Sequence, residues 1–425
     1  MSRYKTYGAS KDSGKAWLGR IPEHWTLAAL KRVASICNGR DYKDVENAEG
    51  IYPVIGSGGE FARADSFLFD GESVLLGRKG TIDKPLYING PFWTVDTMFY
   101  TKIADDAYPR FVYYAALNIP FGMYQTNTAL PSMAGEDLSS HVICVPQYDE
   151  QREIADKLDR ELERIDALIE KKTLFIDLLK QKRQAIIIQA ITKGLYPNVK
   201  MRDSGIEWIG AVPQHWGVPQ LRRVIRSVEQ GWSPDCHPGQ AGDEEWGILK
   251  AGCVNNGEYR ESENKALPPS LDARPEYEVH CGDILMSRAS GTPAFVGSVA
   301  LVCATRPKLM LSDKIFRIRL ESNVCPRFFV TALGSRILRL QIENELSGGN
   351  GLANNLPQSA LMEFVMPLPP VGEQEAISEH LALMTANLDL LVDRTKLSIT
   401  LLRERRTALI TAAVTGQIDL REDIA

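Results

Sequence analysis

The sequence predicts an α/β (α+β) protein: two similar domains joined by two long antiparallel helices in a pseudo-two-fold arrangement. Three observations predict this class. An opening segment occurs twice, a closing segment occurs twice, and each closing segment runs into a long stretch without glycine or proline. A repeat of this length dictates the architecture before any local pattern is read.

The opening Asp12-Ser13-Gly14 leads to Trp17, Gly19 and Pro22-Glu23-His24-Trp25, then Leu30-Lys31-Arg32-Val33. Asp203-Ser204-Gly205 leads to Trp208, Gly210 and Pro213-Gln214-His215-Trp216, then Leu221-Arg222-Arg223-Val224. The offset is 191 (203 − 12), and 11 of the 22 positions from 12 to 33 are identical. Pro146–Thr192 matches Pro369–Thr415 at offset 223 (369 − 146), with 16 identities in 47 positions. Each copy is therefore a fixed opening, a variable middle and a fixed tail. The divisions are residues 1–147, 148–195, 196–370 and 371–425.

Each tail reads as a helix of about 40 residues, which spans roughly 60 Å at 1.5 Å per residue. Leu158, Ile165, Leu179 and Ile186 recur at multiples of seven, with Leu168, Phe175, Ile169 and Ile176 beside them. Leu381, Leu388, Leu402 and Leu409 repeat the row, with Leu391, Val392 and Ile399 alongside. Such wide apolar stripes most simply cover each other as a coiled-coil-like pair. Both rows break at one repeat position, Lys172 and Thr395. A polar residue there can fix register; a snorkelling lysine is the equal alternative.

The variable middles read as short strands with glycine-bearing loops. Ser73-Val74-Leu75-Leu76 and Asp283-Ile284-Leu285-Met286-Ser287 each lead to an arginine, Arg78 or Arg288, followed by Lys79-Gly80 or Ala289-Ser290-Gly291. Val95-Asp96-Thr97-Met98-Phe99 answers Ser312-Asp313-Lys314-Ile315-Phe316. Polar loops holding Gln125 and Asn127, or Asn350 and Asn354, precede a Leu-Pro. Arg, Gln and Asn pair bidentately with base edges, and Asn and Gly are also turn formers. The side chains expected to contact DNA are Arg78, Lys79, Gln125 and Asn127 in the first domain. In the second they are Arg288, Ser290, Lys314, Asn350 and Asn354.

Composition sets bounds. The apolar fraction of 44% is globular. No run of about 18 apolar residues exists, so no membrane span is expected. The start Met1-Ser2-Arg3-Tyr4-Lys5 has no apolar signal region. Seven scattered cysteines without a Cys-x-x-Cys argue against a disulfide frame or a zinc site and for a reducing cytoplasm. The net charge of −5 is unusual for a free-standing nucleic-acid binder.

The repeated openings, together with Val145-Pro146-Gln147-Tyr148-Asp149-Glu150-Gln151 and Pro367-Leu368-Pro369-Pro370-Val371-Gly372-Glu373-Gln374 heading the helices, resemble the specificity subunits of type I restriction-modification enzymes. The resemblance spans nearly the whole chain, though the first closing lacks the Leu-Pro-Pro form of the second. It implies two target recognition domains, each reading one half of an asymmetric split target in double-stranded DNA. It implies helices that set the half-site gap and dock two modification (methyltransferase) subunits. Restriction subunits with translocase and nuclease activity would join them. The chain itself would be non-catalytic, without cofactor or metal.

Enzyme readings have thin support in the residues. No Asn/Asp-Pro-Pro-Tyr/Phe tetrapeptide occurs, and Gly14-Lys15 lacks the spacing and the Ser/Thr of a phosphate loop. Pro234-Asp235 with Glu263-Asn264-Lys265 leaves a metal-dependent nuclease as one alternative. A coiled-coil scaffold that binds no DNA is the other. His24 and His215 lack a paired nucleophile and are expected to pack or hydrogen-bond at a domain edge.

Overall fold

The computed structural model describes residues 4–125, 131–236, 239–348 and 354–423. The chain forms two compact units, residues 1–174 with 395–425, and residues 175–394. Each unit therefore takes part of each long helix, Tyr148–Lys193 and Val371–Val414.

The two middles share a topology. In the first unit one sheet orders its strands as Leu86–Ile88, Ser73–Gly77, Met98–Ile103 and Ala34–Asn38, all antiparallel. In the second unit the matching order is Val299–Leu301, Ile284–Ser287, Ile315–Leu320 and Ile225–Gln230. Ser73–Gly77 and Ile284–Ser287 are buried along their whole length, which explains their continuous apolar runs. A second sheet flanks each: Gly59–Ala64, Tyr52–Gly56, Pro91–Thr94 and Phe69–Asp70 in one unit, and Asn264–Ala266, Gly247–Leu249 and Leu309–Met310 in the other. Pro109–Leu117 and Pro326–Leu333 are corresponding helices, each with proline in its first turn, where the missing N–H costs nothing.

The long helices pack antiparallel within each unit. In the first, Ile154, Leu158, Leu162 and Ile165 share a core with Leu409, Ile410 and Ala413, and Arg406 pairs with Asp166 at 3.1 Å. In the second, Ile187, Ala190 and Ile191 share a core with Ile377 and Leu381, and Arg183 pairs with Asp389 at 3.3 Å. These ion pairs are repeat equivalents, since 406 − 183 and 389 − 166 are both 223.

The expected apolar stripe divides into two. Leu158, Ile165, Leu179, Leu381, Leu388 and Leu409 are buried, while Ile186 and Leu402 are partly so. Leu168, Phe175 and Leu391 are exposed instead. Leu174, Leu178, Leu383, Leu390, Leu397 and Leu401 are exposed as well, a second set of apolar side chains open to solvent. Leu383, Leu390 and Leu397 lie seven residues apart, and Leu383 is 66% exposed. At the shared break, Thr395 is buried and Lys172 half-buried.

The repeated openings and closings turn out to be partners. Trp25 Nε1 donates to Glu150 Oε1 at 3.1 Å, and His24 Nε2 lies 2.9 Å from Oε2. Trp216 Nε1 donates to Glu373 Oε2 at 3.0 Å, with His215 Nε2 at 2.7 Å from Oε1. The next residue caps from inside: Gln151 Nε2 donates to Pro146 O at 2.9 Å, and Gln374 Nε2 to Pro369 O at 2.8 Å. Both helices end on a left-handed glycine against the same tryptophans. A methyl group at Gly194 (φ +72°) would lie 3.1 Å from Trp216, and one at Gly416 (φ +71°) would lie 3.1 Å from Trp25 and 2.2 Å from Pro22. The histidines thus hold the domain edge.

Candidate nucleic-acid interface

In each domain several strand ends converge on one edge. Ser73–Gly77 ends there in Arg78-Lys79, and Ile284–Ser287 ends in Arg288-Ala289-Ser290. The Arg78 N–H donates to Thr97 O at 2.9 Å, and that of Arg288 to Lys314 O at 2.8 Å. Each chain end is then zipped to the segment after the polar loop. Lys79 bridges Ser132, and Ala289 bridges Asn355. Gly80 N donates to Pro131 O at 2.9 Å, and Ser290 N to Asn354 O at 3.2 Å.

The arginine side chains form the corner of this arrangement. Arg78 Nη1 donates to Asp96 O at 3.2 Å, and the guanidinium lies 5.8 Å from the Phe99 ring centre. Arg288 Nη1 donates to Asp313 O at 3.3 Å and lies 5.9 Å from Phe316. Arg288 Nε is buried with no partner among the described residues. Burial pushes the Asp313 carboxyl up. Hydrogen bonds from Lys314 and Ser233, with the charges of Lys314 and Arg288, outweigh it and hold the group below its usual range.

The edge gathers Arg288, Ser290, Lys314 and Asn354 in the second domain, where Asn354 Nδ2 also donates to Gly291 O at 3.3 Å. In the first domain it gathers Arg78 and Lys79, which line a cleft of about 400 Å3 with Asn38, Phe99 and Ser132. Gln125 is exposed just beyond the turn Phe121–Met123. Asn127 and Asn350 lie outside the described residues.

Sequence reasoning passed over a third contributor. Ala34–Asn38 and Ile225–Gln230 each reach the same edge and end in a glycine pressed against backbone. A methyl group at Gly39 would lie 2.0 Å from Val95 O, and one at Gly231 would lie 1.9 Å from Leu311 O. The next N–H is pinned in both: Arg40 to Thr94 O at 2.9 Å, Trp232 to Leu311 O at 3.1 Å. The signal was a glycine at the end of an alternating strand, but the two copies share little sequence there.

Among the described residues no group of three or more His, Cys, Asp or Glu could hold a metal. None of their helices is long and apolar enough to cross a membrane.

Residues 22–176 match the family model described as "Type I restriction modification DNA specificity domain". The EcoEI specificity subunit of Escherichia coli is 39% identical over 165 residues, 38% of this chain and 28% of that protein. The EcoKI specificity subunit of Escherichia coli strain K12 is 24% identical over 65% of this chain and 57% of its own length. These matched stretches span less than two thirds of either relative. The MjaVIII specificity subunit of Methanocaldococcus jannaschii is 22% identical over 95% of both chains. Among solved structures, a chain from a study of assembly and conformational transition in the type I R-M system aligns over 93% of this chain and 98% of its own. Its TM-score is 0.70 at 16% identity. The HsdS subunit of Thermoanaerobacter tengcongensis aligns over 96% and 100%, with TM-score 0.51 and 16% identity.

Proposed function

We propose that this chain, similar to the specificity subunits of type I restriction-modification enzymes, selects the DNA target of such a complex, each domain reading one half of an asymmetric split sequence. The observation that carries this reading is the duplicated edge. One backbone arrangement, pinned by the same main-chain hydrogen bonds in both units, presents different side chains in each. A protein that must recognise two different half-sites needs such a constant frame with variable contacts. The side chains assigned to DNA along it are Arg78, Lys79 and Gln125, and Arg288, Ser290, Lys314 and Asn354; Asn127 and Asn350, assigned with them, lie outside the described residues. Direct readout at each bidentate contact contributes about 1–3 kcal/mol of discrimination.

We assign the exposed leucines to two modification subunits. Leu168, Leu174 and Leu178 are the repeat equivalents of Leu391, Leu397 and Leu401, and all six are exposed. A duplicated apolar surface suits two copies of one partner. Restriction subunits would join that complex in the cytoplasm, and catalysis would lie in the partners. An acidic chain can also leave much of the phosphate grip to them.

The test is to sequence the methylated bases of a host genome with this gene and its modification partner present, and again with this gene deleted. A split motif that vanishes on deletion is the expected result. An unchanged methylation pattern, with no gel retardation of random duplex at low salt by the assembled complex, would favour the protein-only scaffold.

A further inference from the structure

We propose that Arg40 in the first domain, and Arg274 held by Trp232 in the second, are the side chains that read a guanine in each half-site. The inference rests on the DNA-reading assignment and goes beyond it to particular residues.

Arg40 and Trp232 leave the frame at the same point, one residue past the close-packed Gly39 and Gly231. The backbone there is fixed on both sides. Arg40 N donates to Thr94 O, and Arg40 O accepts from Trp93 Nε1 at 3.0 Å. Trp232 N donates to Leu311 O, and the adjacent Ser233 hydroxyl accepts from Asp313 N at 3.1 Å. A side chain on so rigid a base is suited to discrimination, since little ordering remains to be done on binding.

The second domain has no arginine at this point, yet it delivers one. The Arg274 guanidinium stacks 4.2 Å from the Trp232 ring centre, and Arg274 N donates to Met310 Sδ at 3.2 Å. A cation–π contact with indole restrains the guanidinium without using up its N–H donors, the groups that pair with guanine O6 and N7. Arg40 and Arg274 are both exposed, and neither has a carboxylate partner among the described residues.

Neighbouring arginines are committed. Arg63 pairs with Glu60 at 2.8 Å, Arg319 with Asp283 at 2.7 Å, and Arg317 is buried between Glu229 and Asp283. Arg78 and Arg288 each give one Nη1 to a framework carbonyl, a neutral contact and not a charge pair. A guanidinium already neutralised by a carboxylate has to break that pair before it can read a base, and among the described residues Arg40 and Arg274 have no such pair to break.

The experiment uses the full chain with its modification subunits in a host whose methylated motif is sequenced. Arg274→Ala and Trp232→Ala should relax the same guanine of one half-site, with discrimination there falling about tenfold or more. The other half-site should be unchanged, and the double variant should lose no more than either single one. Arg40→Ala should relax a guanine in the other half. Arg274→Lys separates base reading from phosphate contact: it keeps the charge and the fold but should still relax the guanine. The proposal is overturned by an unchanged motif, by full discrimination in Arg274→Lys, or by Trp232→Ala and Arg274→Ala relaxing different base pairs. A wild-type complex that methylates no motif overturns the DNA-reading assignment itself, a separate result from a motif that survives these substitutions.

Discussion

At the scale of single residues, two glutamates anchor the fixed frame with different strength. Glu150 is 7% exposed and accepts from Tyr7 and Trp25, both at 3.1 Å, with His24 and Arg421 also on its carboxylate. Glu373 is 27% exposed and holds only His215 and Trp216 among the described residues. Removing an acceptor from buried donors costs about 1–3 kcal/mol in desolvation. Glu150→Ala is therefore expected to cost about 3 kcal/mol or more, and Glu373→Ala about 1 kcal/mol; urea unfolding of the two variants measures the difference. The repeated Pro-x-His-Trp and Glu-Gln motifs were both legible in the sequence. That they touch was not, because they sit 125 residues apart in the first copy (Trp25 to Glu150) and 157 in the second (Trp216 to Glu373), and nothing local encodes a long-range hydrogen bond. The main-chain contacts of the edge arginines were not legible either: the fold sets one nitrogen of Arg78 and one of Arg288 on a main-chain carbonyl.

At the scale of elements, helical period alone placed the long helices well and their surfaces poorly. Tyr148–Lys193 and Val371–Val414 lie where the glycine- and proline-free stretches predict. Leucine at positions seven apart, however, marks a partner of any kind, and the sequence cannot say whether the partner is in the same chain. The buried row is covered within each unit and the exposed set is not. Substituting Leu390→Glu and Leu397→Glu together should leave thermal stability nearly unchanged, as surface changes usually do within about 0.5 kcal/mol. The same variant should lose co-elution with the modification subunits; retained co-elution would remove these leucines from the assembly surface. The strand Asp419–Asp423 carries a pH dependence. Hydrogen bonds and charge from Arg421 hold the Asp419 carboxyl below its ordinary range against the opposing effect of burial. A depressed carboxylate stabilises the fold above its unfolded value, near pH 4, and that contribution disappears as pH falls through the lower native value. The unfolding free energy of the first unit should thus drop below about pH 4, and Asp419→Asn should flatten that part of the profile.

At the scale of the whole molecule, the repeat assigns the chain's last residues to its first domain. The unit that begins at residue 1 is completed by residues 395–425. Tyr4–Lys5 pairs antiparallel with Asp419–Asp423, and Ile418 and Leu420 are buried in the core with Leu18, Ile21 and Trp25. In the second unit the same place is filled by the end of the first helix, where Gly194 meets Trp216 just before the strand Met201–Asp203. The C-terminal segment thus does for the first copy what residues 187–200 do for the second, in line with the match of Pro369–Thr415 to Pro146–Thr192. Deleting residues 416–425 removes Ile418 and Leu420, each giving about 1.5–3 kcal/mol when fully buried. It also removes the strand paired with the N-terminus. The expected outcome is selective: hydrogen exchange should rise across residues 4–25 and 150–165, while residues 203–225 and 373–381 keep their protection. Equal loss of protection in both sets would mean that the units do not fold as separate cores, and that the first domain does not depend on the distant end of the chain.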